Sequence, residues 1–256
     1  MIFVRVVILG MMMAAAGVCA AQPQAAKDAF TQGLIEGKTG LYQKAIGFFD
    51  EAIRLDPKFA RAYYNRGVSY QQLGQNERAI KDYGEAIRLE PKFADAYASR
   101  GTAHENLKQY EEAIRDYTEA TKLNPQDAAS FANRASSYDK LGRYEEAIKD
   151  YNEAIRIDPG DDDALDSLAW LLATAKNPAV RDGKRAVELA LKACELTGWR
   201  EPGHIDTLAA AYARTGDFAS AVKWQMKALE DREFAKDKDA QERLKLYRAG
   251  KPYPPN

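Results

Sequence analysis

The fold class predicted for this chain is all-α, a stack of helical hairpins, and three observations predict it. Pro57, Pro91, Pro125 and Pro159 stand 34 residues apart. Each closes a stretch of the type YxxAIxxYxEAIxLxP. A strict period of this length marks supersecondary units that stack on one continuous core, and no closed globule repeats itself so regularly.

One unit, residues 60–93, gives the reason for each element. The run ARAYYNRGVSYQQLG sets Ala62, Tyr63, Gly67, Tyr70 and Leu73 three and four apart, and Gly74 then turns the chain. This spacing predicts an amphipathic helix. After the turn, RAIKDYGEAIRLE places Ala79, Ile80, Tyr83, Ala86, Ile87 and Leu89 on one face. Arg78, Lys81, Asp82, Glu85 and Arg88 fall on the opposite face, which is expected to be solvated. Pro91 removes a backbone donor and takes Glu90 out of the helical region, so the second helix stops there. Small residues recur where helices must approach closely: Gly67, Gly101 and Ala135 in first helices, Ala79, Ala113 and Ala147 in second ones. Tyr63, Tyr97 and Phe131, with Tyr83, Tyr117 and Tyr151, fill the complementary holes.

This pattern of Gly or Ala, aromatic, Ala and Pro resembles the tetratricopeptide repeat, whose 34-residue period it matches. In the same register a first repeat begins near Ala26, so four regular repeats cover 26–161. Two divergent repeats follow over 162–233. In the first of them the second-helix signature Ala186, Ala190 and Ala193 arrives five residues late, and the insertion TAKNPAVRDGK reads as a projecting loop. Residues 234–256 read as a capping helix and tail, with Ala240, Leu244 and Tyr247 on the buried stripe and Glu242, Arg243 and Lys245 beside it. The resemblance implies a right-handed superhelical array, an α-solenoid, of about six helix-turn-helix units.

Residues 1–21 differ from the rest. Arg5 precedes the apolar run VVILGMMMAAAGV and the small residues CAA, the organisation of a secretory signal peptide. The run is about 13 residues, short of the ~20 that a spanning helix needs. An exported, periplasmic chain is therefore expected, with lipidation at Cys19 or an uncleaved anchor as the alternatives. Once the leader is removed Cys194 is the one cysteine left, so no disulfide framework is expected and the thiol reads as packing.

Charge excludes some classes of function. The 37 basic and 38 acidic residues are mixed along the helices, with no basic stripe of the kind nucleic acid requires. His104 takes the place of Tyr70 and Tyr138 and reads as packing. His204 reads as capping or exposed, and the two histidines lack partners at metal-ligand spacing. Asp161, Asp162 and Asp163 lack the alternate ligands of a calcium loop and read as negative charge at a helix N-terminus. No catalytic residue, metal or cofactor is expected.

The resemblance places binding on the first helices, which line a concave groove for protein or peptide segments. Carried over position by position, it implies contacts from Arg61, Tyr64, Asn65, Ser99, Asn133 and Ser136. Asn65 and Asn133 are the best placed, because a side-chain amide both donates to and accepts from a peptide backbone. Relatives that clamp a chaperone's two terminal carboxylates use Lys, Asn and Arg at five places held here by Phe30, Leu34, Asn65, Asp95 and Ser99, so only Asn65 fits. The expected function is a non-catalytic adaptor. The alternatives are a membrane-held component of an envelope assembly and a metal-dependent hydrolase using Asp161–Asp163 or His204. A homo-oligomer formed through an uncovered end or the repeat-five loop is a further expectation.

Overall fold

The computed structural model describes residues 23–254; the leader and Cys19 lie outside the described residues. These residues form thirteen α-helices and no strand: α1 (23–38), α2 (Tyr42–Leu55), α3 (Ala60–Gln72), α4 (Asn76–Leu89), α5 (Ala94–Asn106), α6 (Tyr110–Leu123), α7 (Ala128–Lys140), α8 (Tyr144–Ile157), α9 (Asp162–Thr174), α10 (Gly183–Leu196), α11 (Pro202–Thr215), α12 (Phe218–Ala228) and α13 (Lys238–Arg248). The chain divides into two compact units at residue 124. The first holds the hairpins of α1 to α6. The second holds those of α7 to α12 with α13 behind them. No helix among the described residues is long and apolar enough to cross a membrane.

In the first unit the small residues do what their spacing predicted. A methyl group added at Gly67 would stand 2.8 Å from the Tyr83 ring, and one at Gly101 would stand 2.8 Å from the Tyr117 ring. Each tyrosine therefore lies flat on bare backbone and is fully buried. The turn glycines Gly74 and Gly142 have φ near +72° and +73°, and at the equivalent place Lys108 holds φ +59°. A side chain in that region costs about 1 kcal/mol relative to glycine.

One expectation is corrected. Asp82, assigned to the solvated face, is 6% exposed and receives two bonds from Arg66, at 2.7 and 2.8 Å. The pair recurs each period as Arg100–Asp116 and Arg134–Asp150. Each guanidinium also faces an aromatic ring one turn earlier, Tyr63, Tyr97 or Phe131, at 5.3–5.6 Å. The aspartate points into the seam of its own hairpin, where the first helix presents the arginine. Burial pushes the Asp82 carboxyl upward against the pull of Arg66, while the carboxylate's hydrogen bonds raise the guanidinium.

The second unit is built differently past α8. Helix α9 is apolar nearly all round, burying Leu165, Leu168, Leu171 and Leu172, and α11 buries Ile205 through Ala211. Trp199 stacks on Trp224 at 4.8 Å. Arg243, placed beside the buried stripe by its charge, is itself 6% exposed and bonds Asp206 at 2.9 and 3.0 Å, which corrects that expectation too. Gln225 donates to the same carboxylate and to the Ala240 carbonyl. Two hydrogen bonds tie the insertion to its own hairpin. Arg181 Nε donates to the Ala175 carbonyl and the Asp182 amide to the Leu172 carbonyl, which leaves Asn177, Pro178 and Ala179 exposed. Cys194 is buried, and burial pushes its thiol up to about 12.

Candidate peptide-binding site

In the first unit α1 and α3 face each other across a cavity of about 310 Å³, lined by Leu34, Lys38, Asn65, Val68 and Gln72 together with backbone at Gly33 and Gly37, with Tyr42 and Phe49 of α2 also on its wall. The helical register explains the lining. Leu34 and Val68 are one 34-residue period apart, and Lys38 and Gln72 likewise. The two helices thus present the same stripe to one hollow. Asn65 Nδ2 donates to the Arg61 carbonyl at 2.8 Å, which fixes the side chain against its own helix and leaves Oδ1 to accept a hydrogen bond. The floor is apolar and the rim carries amides and one lysine. Such a hollow suits an extended chain whose backbone N–H groups need acceptors.

The remaining predicted residues divide. Arg61 is exposed beside Asn65. Tyr64 is half-buried: its ring lies 4.8 Å from Phe93 and 5.7 Å from Tyr83, and its hydroxyl is 3.4 Å from that of Ser99. The structure therefore brings Tyr64 and Ser99 together in the seam between α3 and α5. In the second unit Asn133 and Ser136 lie half-buried one turn apart on α7. Ser136 and Trp170 continue the register of Leu34 and Val68.

The structure also brings together groups that linear spacing kept apart. His204 is buried, not exposed as its place before a helix suggested, and its Nε2 is 3.9 Å from Asp162 and 3.7 Å from Asp163. These three offer donor atoms within 4.8 Å of one another and are the residues that could hold a cation. Against a cation stands the positive N-terminal end of α9, which Asp161 caps through the Ala164 amide and which Asp162 and Asp163 already complement. Nearby, burial pushes the Asp166 carboxyl to about 7, opposed by the His204 charge and a Thr207 hydrogen bond. His104 bonds Gln109 at 2.7 Å and stands 3.8 Å from Asp116.

Sequence reasoning missed three features: the periodic Arg–Asp pair, the Asp206–Arg243–Gln225 cluster and the aromatic surface at Trp170. The first had a signal, because Arg66, Arg100 and Arg134 recur in register with Asp82, Asp116 and Asp150. The other two join residues from hairpins that have no counterpart elsewhere in the chain.

Comparison with known proteins bears on this geometry. A crystal structure of MamA is 25% identical, covering 65% of this chain and 94% of that one, with a TM-score of 0.59. The pilF protein of Pseudomonas aeruginosa matches at 18% identity, over 87% and 97% of the two chains, with a TM-score of 0.73. YrrB, described as a TPR protein with an unusual peptide-binding site, matches at 20% identity over 77% and 98%, with a TM-score of 0.62. The last two likenesses are of fold alone. A search of curated protein sequences finds no match. Tetratricopeptide-repeat family models match residues 33–74, 60–93, 99–162 and 203–233. Period, helix pairing and these matches agree that the chain is a tetratricopeptide-repeat protein.

Proposed function

We propose that this chain is a non-catalytic adaptor that binds an extended segment of a partner protein on the first-helix face of its repeats. The observation that carries the reading is the hollow between α1 and α3, apolar at its base and rimmed by Asn65, Lys38 and Gln72. An extended segment laid there buries its side chains on Leu34 and Val68 and offers backbone N–H to Asn65 Oδ1. MamA and YrrB share the hairpin array, and YrrB is described as peptide-binding, which supports the class of ligand. Repeat proteins of this family are generally scaffolds, and the Arg66–Asp82 and Arg243–Asp206 pairs and the Asp161 cap hold elements of the fold together, which supports the non-catalytic reading.

Affinity capture from an envelope extract, with the unsubstituted chain beside the Asn65→Ala, Asn133→Ala double variant and mass-spectrometric identification, tests this. Loss of a partner by the double variant, with an unchanged melting temperature, is expected. Equal capture by both moves the interface off the first helices. The leader-like residues 1–21 support an exported, periplasmic protein. The intact mass of the protein recovered from cells tests that reading: loss of about the first 21 residues supports it, and retention of Met1 or of a lipid on Cys19 favours the membrane-held alternative.

A further inference from the structure

The segment that follows α13 is seated on the second unit at the register position that lines the hollow in the first. Trp170 continues the 34-residue series Leu34, Val68, Thr102 and Ser136. The Tyr253 ring lies 6.1 Å from that of Trp170. One guanidinium, Arg243, faces both rings, at 5.4 and 5.5 Å, and is held there by Asp206. Arg214 fixes the main chain of the segment: its Nη2 donates to the Tyr253 carbonyl at 3.0 Å and the Pro254 carbonyl at 3.3 Å, while its Nε is anchored on the Ala173 carbonyl at 2.7 Å. Side-chain donors thus read the backbone of the segment and an aromatic platform reads its tyrosine. A separate chain could make every one of these contacts.

The surface also extends past the segment. A cavity of about 530 Å³ adjoins Tyr253 and Pro254 and is lined by Asp139, Lys140, Tyr144, Trp170, Thr174 and Lys176. Its lining carries both signs of charge, and Tyr253 and Pro254 of the segment form part of it.

We infer that this face of α9 is a docking surface for an extended partner segment containing an aromatic residue followed by proline, and that residues 251–254 are its resident intrachain occupant. The inference rests on the first-helix binding face proposed above and assigns it a second site with its own ligand chemistry. A segment tethered a few residues from its site has an effective concentration on the order of mM. A partner therefore displaces it by adding contacts in the adjoining cavity, through a longer chain that reaches Asp139, Lys140 and Lys176. Proline suits such a ligand because little conformational freedom remains to be lost on binding.

A fluorescein-labelled peptide of residues 249–256, AGKPYPPN, tests the inference by fluorescence anisotropy against the full chain and the Tyr253→Ala chain. The Tyr253→Ala chain is expected to bind at least about ten-fold tighter than the unsubstituted chain, and adding Trp170→Ala is expected to abolish the gain. A chain lacking residues 252–256, which keeps all of α13, provides the same reading if Tyr253→Ala lowers the helical circular dichroism. Equal binding to opened and unsubstituted chains, or no binding to a folded opened chain, overturns the inference, as does crosslinking of the peptide to α1 or α3. Asn65→Ala is expected to leave this peptide's affinity unchanged. Loss of affinity in that variant would place the peptide at the first-unit hollow and overturn the second site. The capture experiment can thus fail while this one succeeds, and the reverse.

Discussion

The hairpins of α1 to α6 and the segment from α9 to α13 solve one packing problem by different means. In the first set the hairpins α3–α4 and α5–α6 repeat a small kit: a tyrosine lying on bare glycine, and an arginine crossing the hairpin to a buried aspartate while facing an aromatic ring; α1–α2 keeps only the ring on glycine, with Phe49 against Gly33. The second discards the kit. It relies on an apolar α9, a nearly enclosed α11, stacked tryptophans and one ion pair between residues 37 positions apart. The contrast teaches where binding chemistry can arise. Periodic contacts are used up in holding neighbours together, so side chains without a counterpart in the other repeats, Trp170 and Arg243 above all, can form a surface found once among the described residues.

Breaking the two kinds of ion pair tests the contrast most strongly. In Arg243–Asp206 the side chains are 7% and 6% exposed, so Arg243→Ala strands a carboxylate and removes the cation between two rings. A loss of about 3–5 kcal/mol is expected in urea unfolding. Asp116→Ala leaves Arg100, whose side chain is 24% exposed and can turn to water, so about 1–3 kcal/mol is expected. Equal losses would remove the distinction. Next in size is Gly101→Ala, whose methyl meets the Tyr117 ring and is expected to cost about 1–3 kcal/mol by the same measurement. At the equivalent place the chain already carries Ala135, so Ala135→Gly is expected to cost no more than about 1 kcal/mol.

The pH response sharpens the picture of the second region alone. Burial holds the Asp166 carboxyl at about 7 in the folded chain, with Asp206 and Asp163 adding to the rise and His204 and Thr207 opposing it. An unfolded aspartate releases its proton near pH ~4. Between these values the folded state binds the extra proton, so this contribution to stability is present at low pH and lost as pH rises toward 7. Asp166→Asn is expected to flatten the fall in unfolding free energy between pH 4 and 7. The smallest effect belongs to the first region: Lys108→Gly relieves a positive φ and is expected to stabilise by about 1 kcal/mol, raising the melting temperature.

How much of this was legible in the sequence follows from the same contrast. The helices, their turns and the close Gly–Tyr approaches were readable because each recurs every 34 residues, and recurrence separates a constraint from chance. Asp82 was misplaced because a charged residue on a helix edge reads as solvated until its partner sixteen residues earlier is considered. Arg243 and His204 were misplaced for a harder reason: their partners, Asp206 and the Asp162–Asp163 pair, lie in other hairpins with no periodic echo. Asn65 lies at the rim of a hollow, whereas the Tyr64 and Ser99 hydroxyls approach each other. A repeat position fixes the face a residue occupies, and its neighbours decide whether it packs or stays available.

The binding claim is tested most directly by site-specific photo-crosslinking in an envelope extract. A photoreactive residue at Val68, in the hollow, is compared with one at Lys81, exposed on α4. A discrete crosslinked partner from Val68 and none from Lys81 is the expected result. Crosslinking from Lys81 with none from Val68 would contradict binding on the first-helix face.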